Sequence, residues 1–265
     1  YFLWASMPDD TLIALAEAGE LRKPPVLSGQ VRRMLRDPRV RGLATEFGGN
    51  WLDFRALPQL ATVNRERFPA FNNELRTAMF EEPLRFFEDV VRNHRPVTDF
   101  ITAHDTFVNG PLARHYGIPN IYGSRFRRVT LPPNSNRGGL LRQGSVLTVT
   151  SYATRTSPIL RGVLVLKNML GAPPPAPPPQ VPALDESTMA ANLSMRDRLA
   201  AHRANAVCAS CHRTIDPVGF ALENYDAIGA WRERFNGEGF RGSDGPLLDV
   251  SGTFPNGQAF ASLDE

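Results

Sequence analysis

The sequence predicts a mainly α protein, in which a multi-helix body is followed by a proline-rich strap and a smaller module with short β elements. Three observations predict this arrangement. Apolar residues recur at helical spacing, interrupted by Pro and Gly, from residue 1 to about residue 120. Seven of the ten residues from 173 to 182 are proline. The last thirty residues are rich in Gly, Asp, Asn and Pro, which indicates loops and short hairpins.

Start and stop signals locate the first helices. Asp9 and Asp10 suit a first helical turn, and Gly19 predicts its end. A second apolar stripe, from Leu27 to Leu35, is expected to end at Pro38. Further stripes follow over residues 40–51 and 71–90, and Pro83 is expected to kink the second of these.

The middle of the chain carries three further signals. Asp105 is a candidate cap for a helix that runs to Tyr116 and stops at Gly117. Residues 125–131 alternate weakly, as a strand does. Ser157 followed by Pro158 predicts the start of a helix that Gly171 closes.

The proline run sets the expected domain boundaries. Seven prolines in ten residues favour an extended polyproline II segment of roughly 30 Å, which is better suited to joining two bodies than to packing inside one. We therefore predict a helical body over residues 1–172, a proline-rich linker over 173–184 and a separate module over 185–265.

Composition excludes several classes of protein. With 42% hydrophobic and 22% charged residues in 265, the chain is neither disordered nor collagen-like. No run approaches the roughly 18 apolar residues of a membrane span. The net charge of +3 comes from basic residues spread along the whole chain, so no nucleic-acid surface is predicted. Because the chain opens at Tyr1, we expect it to be a piece of a longer polypeptide.

The two cysteines of the chain form the motif Cys208-Ala-Ser-Cys211-His212. C-x-x-C-H is the attachment signature of c-type haem. Two thiols three positions apart can add to the two vinyl groups of one porphyrin, and the imidazole of the next residue can then ligate the iron. The motif predicts Cys208 and Cys211 as attachment residues and His212 as the proximal iron ligand.

Three other chemistries use the same residue types. A thioredoxin-like dithiol needs a strand before the first cysteine and a helix after the second, and the flanking sequence does not indicate them. A structural zinc site needs a second pair of ligands, and the other four histidines are not closely paired. A disulfide across two residues is strained and closes a very short loop. Covalent haem is the interpretation that the sequence favours.

Residues after the motif are candidates to surround the haem. Pro217 is expected in an extended or turn position, where nearby backbone carbonyls could accept a hydrogen bond from the His212 ring. Phe220 and Trp231 are candidates to pack at the haem edge, although ordinary core packing explains them equally well. Three arginines are candidates to bind the propionates or to be surface residues: Arg213, Arg232 and Arg234.

The sixth iron ligand is left open by the sequence. No Met, His, Lys or Cys follows His212. The ligand must therefore come from upstream or from outside this segment, or the distal position is open. Upstream candidates are Met169, Met189, Met195, His104, His115 and His202. His202 lies so close to Cys208 that a structural or propionate contact is the better expectation, and His115 suits a helix end.

Three long motifs resemble a known family. They span residues 105–117, residues 139–162 together with the proline strap, and residues 208–231, where Asp-Pro-x-Gly-Phe-Ala-Leu-Glu-Asn-Tyr-Asp follows the haem motif. Together they are similar to the consecutive domains of unknown function in the large planctomycete-type cytochrome c proteins. The resemblance implies an exported haem protein with further modules, and haem roles for Cys208, Cys211 and His212.

The motif and the resemblance together predict an extracytoplasmic protein, in the periplasm or at the cell surface, with one haem c in its cytochrome c-like module. The leading function is one-electron transfer to a redox partner protein or to another haem domain of the same longer chain. One alternative is a peroxidase or oxidase-like haem enzyme with an open distal site. Another is a structural or docking subunit of a larger redox assembly.

Overall fold

The structure, a computed structural model, describes residues 1–60, 63–176, 194–235 and 245–265. About half of these residues are helical and the strands among them are short, which confirms the mainly α prediction. The α-helices of the described ranges are α1 (Asp10–Glu17), α2 (Pro24–Arg36), α3 (Gly49–Trp51), α4 (Asn73–Arg92), α5 (Asp99–Thr102), α6 (Gly110–Tyr116), α7 (Gly144–Val149), α8 (Pro158–Leu164), α9 (Met195–His202) and α10 (Ala206–Phe220). In the described ranges, none of the helices combines the length and the apolar character needed to cross a membrane.

Tighter and wider helical turns join some of these helices. The 3₁₀ segments are Glu20–Arg22, Pro38–Val40, Phe54–Gln59 and Leu140–Arg142, and the π-helical segments are Leu43–Gly48 and Val165–Met169.

The strands are short and form two antiparallel pairs. In the first pair, β1 (Asp105–Val108) lies beside β2 (Arg127–Thr130), which confirms the strand predicted near residues 125–131. In the second pair, β3 (Gly252–Thr253) lies beside β4 (Ala259–Phe260), as the turn-rich end of the chain predicts.

Capping chemistry fixes several helix ends where the sequence predicts them. The Asp9 carboxylate accepts a hydrogen bond from the Leu12 N–H at the start of α1, and Gly19 after its end has φ of 70°. The Ser157 hydroxyl accepts from the Leu160 N–H at the start of α8. These capping interactions involve only residues at the end of each helix, so they do not depend on contacts with distant parts of the chain.

The cap predicted at Asp105 is wrong. Asp105 lies in β1, and its carboxylate accepts hydrogen bonds from Arg95 and Arg128. Asn109 caps α6 instead by accepting from the Leu112 N–H, and Gly117 ends this helix as predicted. Two arginines distant in sequence bind the Asp105 carboxylate, and a local capping signal does not reveal them.

The helix α4 runs from Asn73 to Arg92 with Pro83 inside it.

The described contacts divide the chain into two compact units. The first comprises Tyr1–Leu60 and Asn72–Val146, and the second comprises Ala61–Phe71 and Leu147–Glu265. One boundary between the units falls at Val146, and α8 packs on α10 within the second unit. Most of the predicted proline-rich linker, residues 177–184, lies outside the described residues.

The first unit is organised around a buried carboxyl group on α4. Glu82 is 1% exposed, and its side chain accepts hydrogen bonds from the Thr106 hydroxyl of β1 (2.6 Å) and from the Tyr116 hydroxyl of α6 (2.5 Å). The Tyr116 oxygen in turn accepts from the Gly144 N–H (2.7 Å). One side chain thus ties α4 to β1 and α6. Burial raises the pKa of Glu82 to about 7, although the two donated hydrogen bonds oppose the rise.

The second unit is built on a close contact between α8 and α10. A methyl group at position 219 would overlap the Pro158 carbonyl oxygen, and one at position 162 would overlap the Ile215 carbonyl oxygen. Both positions are glycine, so the two backbones approach more closely than any side chain permits. Ile215 and Val218 of α10 are buried in one cluster with Leu166, which follows α8.

The ionisation of Glu82 should make the first unit less stable as the pH rises. The pKa of Glu82 is raised from an ordinary value of 4.5 to about 7 in the folded protein. The contribution of Glu82 to the unfolding free energy is therefore fully present below the pKa of this group in the unfolded chain. It is lost as the pH rises through the pKa of this group in the folded protein. Between pH 5 and pH 8, urea denaturation should show a decrease in unfolding free energy on the order of 3 kcal/mol that Glu82→Gln does not show.

The matched control is Glu17→Gln, because Glu17 is exposed at the end of α1. This variant should keep the pH dependence of the wild type. The same pH slope in wild type and in Glu82→Gln would contradict the assignment.

The glycine contact should resist even the smallest side chain. Gly219→Ala should lower the unfolding free energy by about 2 kcal/mol, because a rigid backbone carbonyl must move to admit the methyl group. Gly29→Ala is the control, because Gly29 lies in α2 with open space around it. This substitution should raise the unfolding free energy by up to about 1 kcal/mol. Equal effects of the two substitutions, measured by urea denaturation, would show that the helices are not in close contact.

Candidate haem attachment site

The C-x-x-C-H motif lies at the start of α10. Asn205 caps this helix by accepting a hydrogen bond from the Val207 N–H (2.9 Å). Residues three and four positions apart share one face of a helix, so Cys208 shares a face with Cys211 and His212. Both cysteines are free thiols and are half-buried. The motif is thus presented as two reduced sulfurs and an imidazole on adjacent turns.

The His212 ring is held through one of its two nitrogens. Nδ1 lies 2.8 Å from Oδ1 of Asp216, one turn further along α10. Nε2 has no hydrogen-bond partner among the residues that the structure describes. The His212 side chain is 15% exposed, so the ring is fixed in place by burial and by this one bond.

Asp216 is wholly buried and is bound at both of its carboxylate oxygens. Oδ1 faces His212, while Oδ2 accepts from Arg203 Nη1 at 2.9 Å. Burial raises the pKa of Asp216, and the hydrogen bonds to His212 and Arg203 oppose that rise. Sequence reasoning assigned no role to Asp216. The signal was present, because His212 and Asp216 are four positions apart and therefore neighbours on a helix.

His202 packs directly against the proposed ligand. The centres of the His202 and His212 rings are 4.8 Å apart, with the rings nearly perpendicular. Burial lowers the pKa of His202, and the neighbouring His212 lowers it further. The structure therefore gives His202 the structural contact that its position in the sequence predicts.

The predicted haem-edge residues occupy three different environments. Pro217 lies inside α10, so the expectation of an extended or turn position is wrong. The nearby group that faces His212 Nδ1 is the Asp216 side chain instead of a backbone carbonyl. Phe220 is 1% exposed and packs in an apolar cluster with Leu199. Trp231 is 41% exposed and meets Tyr225 edge-on at 5.3 Å.

The three arginines that are candidates to bind the propionates differ in the hydrogen bonds that their side chains already make. Arg213 is exposed on α10. Arg232 donates to the backbone oxygen and the carboxylate of Glu223, at 3.0 and 3.1 Å. Arg234 donates to the Gly245 carbonyl at 3.0 Å. Arg213 is thus the candidate whose position on α10 leaves its side chain in solvent.

The upstream candidates for the sixth ligand are dispersed. Met195 is buried in the cluster with Phe220. Met169 ends the π-helical segment, while His104 and His115 belong to the first unit. Met189 lies outside the described residues.

The segment after α10 is fixed by a buried arginine of α8. Arg161 has 0% exposure, and its guanidinium donates to the carbonyl oxygens of Leu222 (2.6 Å), Tyr225 (2.7 Å) and Asp226 (2.8 Å). Burial lowers the pKa of Arg161 to about 10, which the nearby Glu223 carboxylate opposes. Sequence reasoning missed this residue, because its partners lie more than 60 positions away.

The donor set of α10 fits covalent haem. Thioether attachment requires reduced thiols, which both cysteines supply. Axial ligation requires an imidazole nitrogen with a free lone pair, and ligating histidines commonly donate their other N–H to a carboxylate. His212 has an atom in place for each condition, because Nε2 has no partner among the described residues and Nδ1 lies 2.8 Å from the Asp216 carboxylate. In the described part of the chain, no three His, Cys, Asp or Glu side chains form a group that could hold a metal ion.

Comparisons with known proteins give two family matches. Residues 1–118 match the family PSD4, described as a protein of unknown function (DUF1592). Residues 137–235 match PSCyt3, described as a protein of unknown function (DUF1588). No curated protein and no solved structure matches the chain. The chain thus carries, in consecutive order, a region similar to the DUF1592 family and a region similar to the DUF1588 family, and the second region contains Cys208, Cys211 and His212.

Proposed function

We propose that this chain binds one haem c covalently and transfers single electrons outside the cytoplasm. The observation that carries the proposal is the arrangement on α10, where two free thiols and an imidazole follow the C-x-x-C-H spacing, and no described residue bonds the Nε2 atom of this imidazole. The name of the matching family, PSCyt3, points to a cytochrome and supports this interpretation.

The residues of α10 have separate roles in this proposal. Cys208 and Cys211 would hold the group through two thioether bonds, and His212 Nε2 would ligate its iron. When bound, haem supplies a one-electron Fe³⁺/Fe²⁺ couple. The close contact between α8 and α10 holds the helix that carries these donors. The first unit then serves as scaffold and as docking surface for a redox partner or a further haem domain.

The location follows from the chemistry of attachment. Thioether bonds to haem are made outside the cytoplasm, so the protein belongs in the periplasm or at the cell surface. The motif supports this location by itself.

A second candidate function is a haem enzyme with an open distal position. The observation that favours it is the buried Asp216 carboxylate on His212 Nδ1, because such a partner makes the imidazole a stronger electron donor. Electron-rich proximal ligands favour chemistry on bound oxygen species.

Optical spectroscopy tests the proposal. Protein produced in cells that attach c-type haem should give the pyridine haemochrome of a haem c, and His212→Ala should alter the oxidised and reduced spectra while the haem stays tethered through the cysteines. The control is His94→Ala, because His94 is exposed in the first unit and is not a candidate iron ligand, so this variant should leave the spectra unchanged.

Carbon monoxide separates the two functions. A reduced spectrum that does not change with carbon monoxide indicates a six-coordinate electron carrier, whereas rapid binding indicates an open site for catalysis. Wild-type protein without haem, or a His212→Ala spectrum identical to that of the wild type, would contradict the proposed proximal ligand.

A further inference from the structure

Asp216 is placed to control His212 rather than to ligate anything itself. Its carboxylate has no solvent exposure, and each oxygen faces one partner, His212 Nδ1 at 2.8 Å and Arg203 Nη1 at 2.9 Å. A guanidinium only donates hydrogen bonds, so Oδ2 is an acceptor. The pairing with Arg203 favours the ionised carboxylate, which leaves Oδ1 to accept the Nδ1 proton of His212.

This hydrogen bond determines which nitrogen of His212 is available. A neutral imidazole carries one proton, and a proton held on Nδ1 leaves the lone pair on Nε2. This tautomer is the one that iron ligation through Nε2 requires. The carboxylate also adds negative charge one hydrogen bond away from the ligand, in a site where water does not screen it.

The carboxylate cannot easily turn away from the imidazole. Ile215 and Val218 on either side of Asp216 are buried in the cluster beneath α10, and the backbone at Ile215 lies against Gly162 of α8. Arg203 holds the second oxygen from the segment between α9 and α10. The position of Asp216 is therefore set by the fold and not by the presence of a bound group.

We propose that Asp216 is the positioning residue of the haem ligand, which fixes the Nδ1–H tautomer of His212 and lowers the reduction potential of the Fe³⁺/Fe²⁺ couple by making His212 a more electron-donating ligand. This inference rests on the proposed function for its second half only. Its first half concerns the polypeptide and holds before any haem is attached. Partner carboxylates that orient a ligating histidine act in this way at other metal sites.

The first test uses the haem-free protein. Nitrogen NMR of the His212 ring, recorded about two pH units above the ordinary histidine pKa of about 6.5, distinguishes the two neutral tautomers. The wild-type protein should show His212 protonated at Nδ1. Protonation at Nε2 would overturn the proposal, whether or not the protein binds haem.

The second test measures the reduction potential of the haem-loaded protein. Asp216→Asn removes the charge and keeps the shape, so it should favour the reduced state by at least tenfold, which is about 59 mV for a one-electron couple. Asp216→Glu restores a carboxylate and should bring the potential back toward that of the wild type. Asp197→Asn is the control, because Asp197 is exposed in α9 and bonds Ser194.

The outcomes separate this inference from the proposed function. A wild-type protein that takes up no haem c contradicts the proposed function and leaves the NMR result to decide the tautomer. If haem is bound through His212 and the potential of Asp216→Asn equals that of Asp197→Asn, the electronic role of Asp216 is overturned. If Asp216→Asn does not fold, the tautomer of the haem-free wild type decides: protonation of His212 at Nδ1 supports the inference, and protonation at Nε2 overturns it.

Discussion

The contact between α8 and α10 is the constraint on which the second unit depends. Gly162 and Gly219 allow the two helix backbones to touch, and this contact fixes the rotation of α10 about its own axis. That rotation decides which residues face inward. Asp216, Ile215 and Val218 are buried as a result, while Cys208, Cys211 and His212 at the beginning of the helix are left half-buried.

Buried polar groups join elements within each of the two units, and three of them have specific partners in the structure. Glu82 joins α4 to β1 and α6, Arg161 holds the carbonyls after α10, and Asp216 links Arg203 to His212. An unpaired polar group in such a position is costly, so each of these networks specifies one arrangement of the elements that it joins. The orientation of the His212 imidazole is a consequence of this packing.

Sequence reasoning succeeded where the signal is local. The acidic first turn at Asp9 and Asp10, the cap at Ser157 and the stops at Gly19 and Gly117 depend on neighbouring residues only. It failed where partners are distant. The Asp105 carboxylate accepts hydrogen bonds from two arginines instead of capping a helix. The Arg161 guanidinium donates to carbonyl groups more than 60 residues away. Asp216 is a different case, because the four-residue spacing was visible but its burial was not.

The central claim is that Cys208 and Cys211 hold one haem through covalent bonds, and the intact mass of the denatured protein tests it most directly. The protein is produced in cells that mature c-type cytochromes, unfolded in acid and analysed by mass spectrometry. Its measured mass should exceed the mass of the polypeptide by that of one haem. The double variant Cys208→Ala, Cys211→Ala should have the bare polypeptide mass. A wild-type protein with the bare mass, from cells that load a known cytochrome c, would contradict the account.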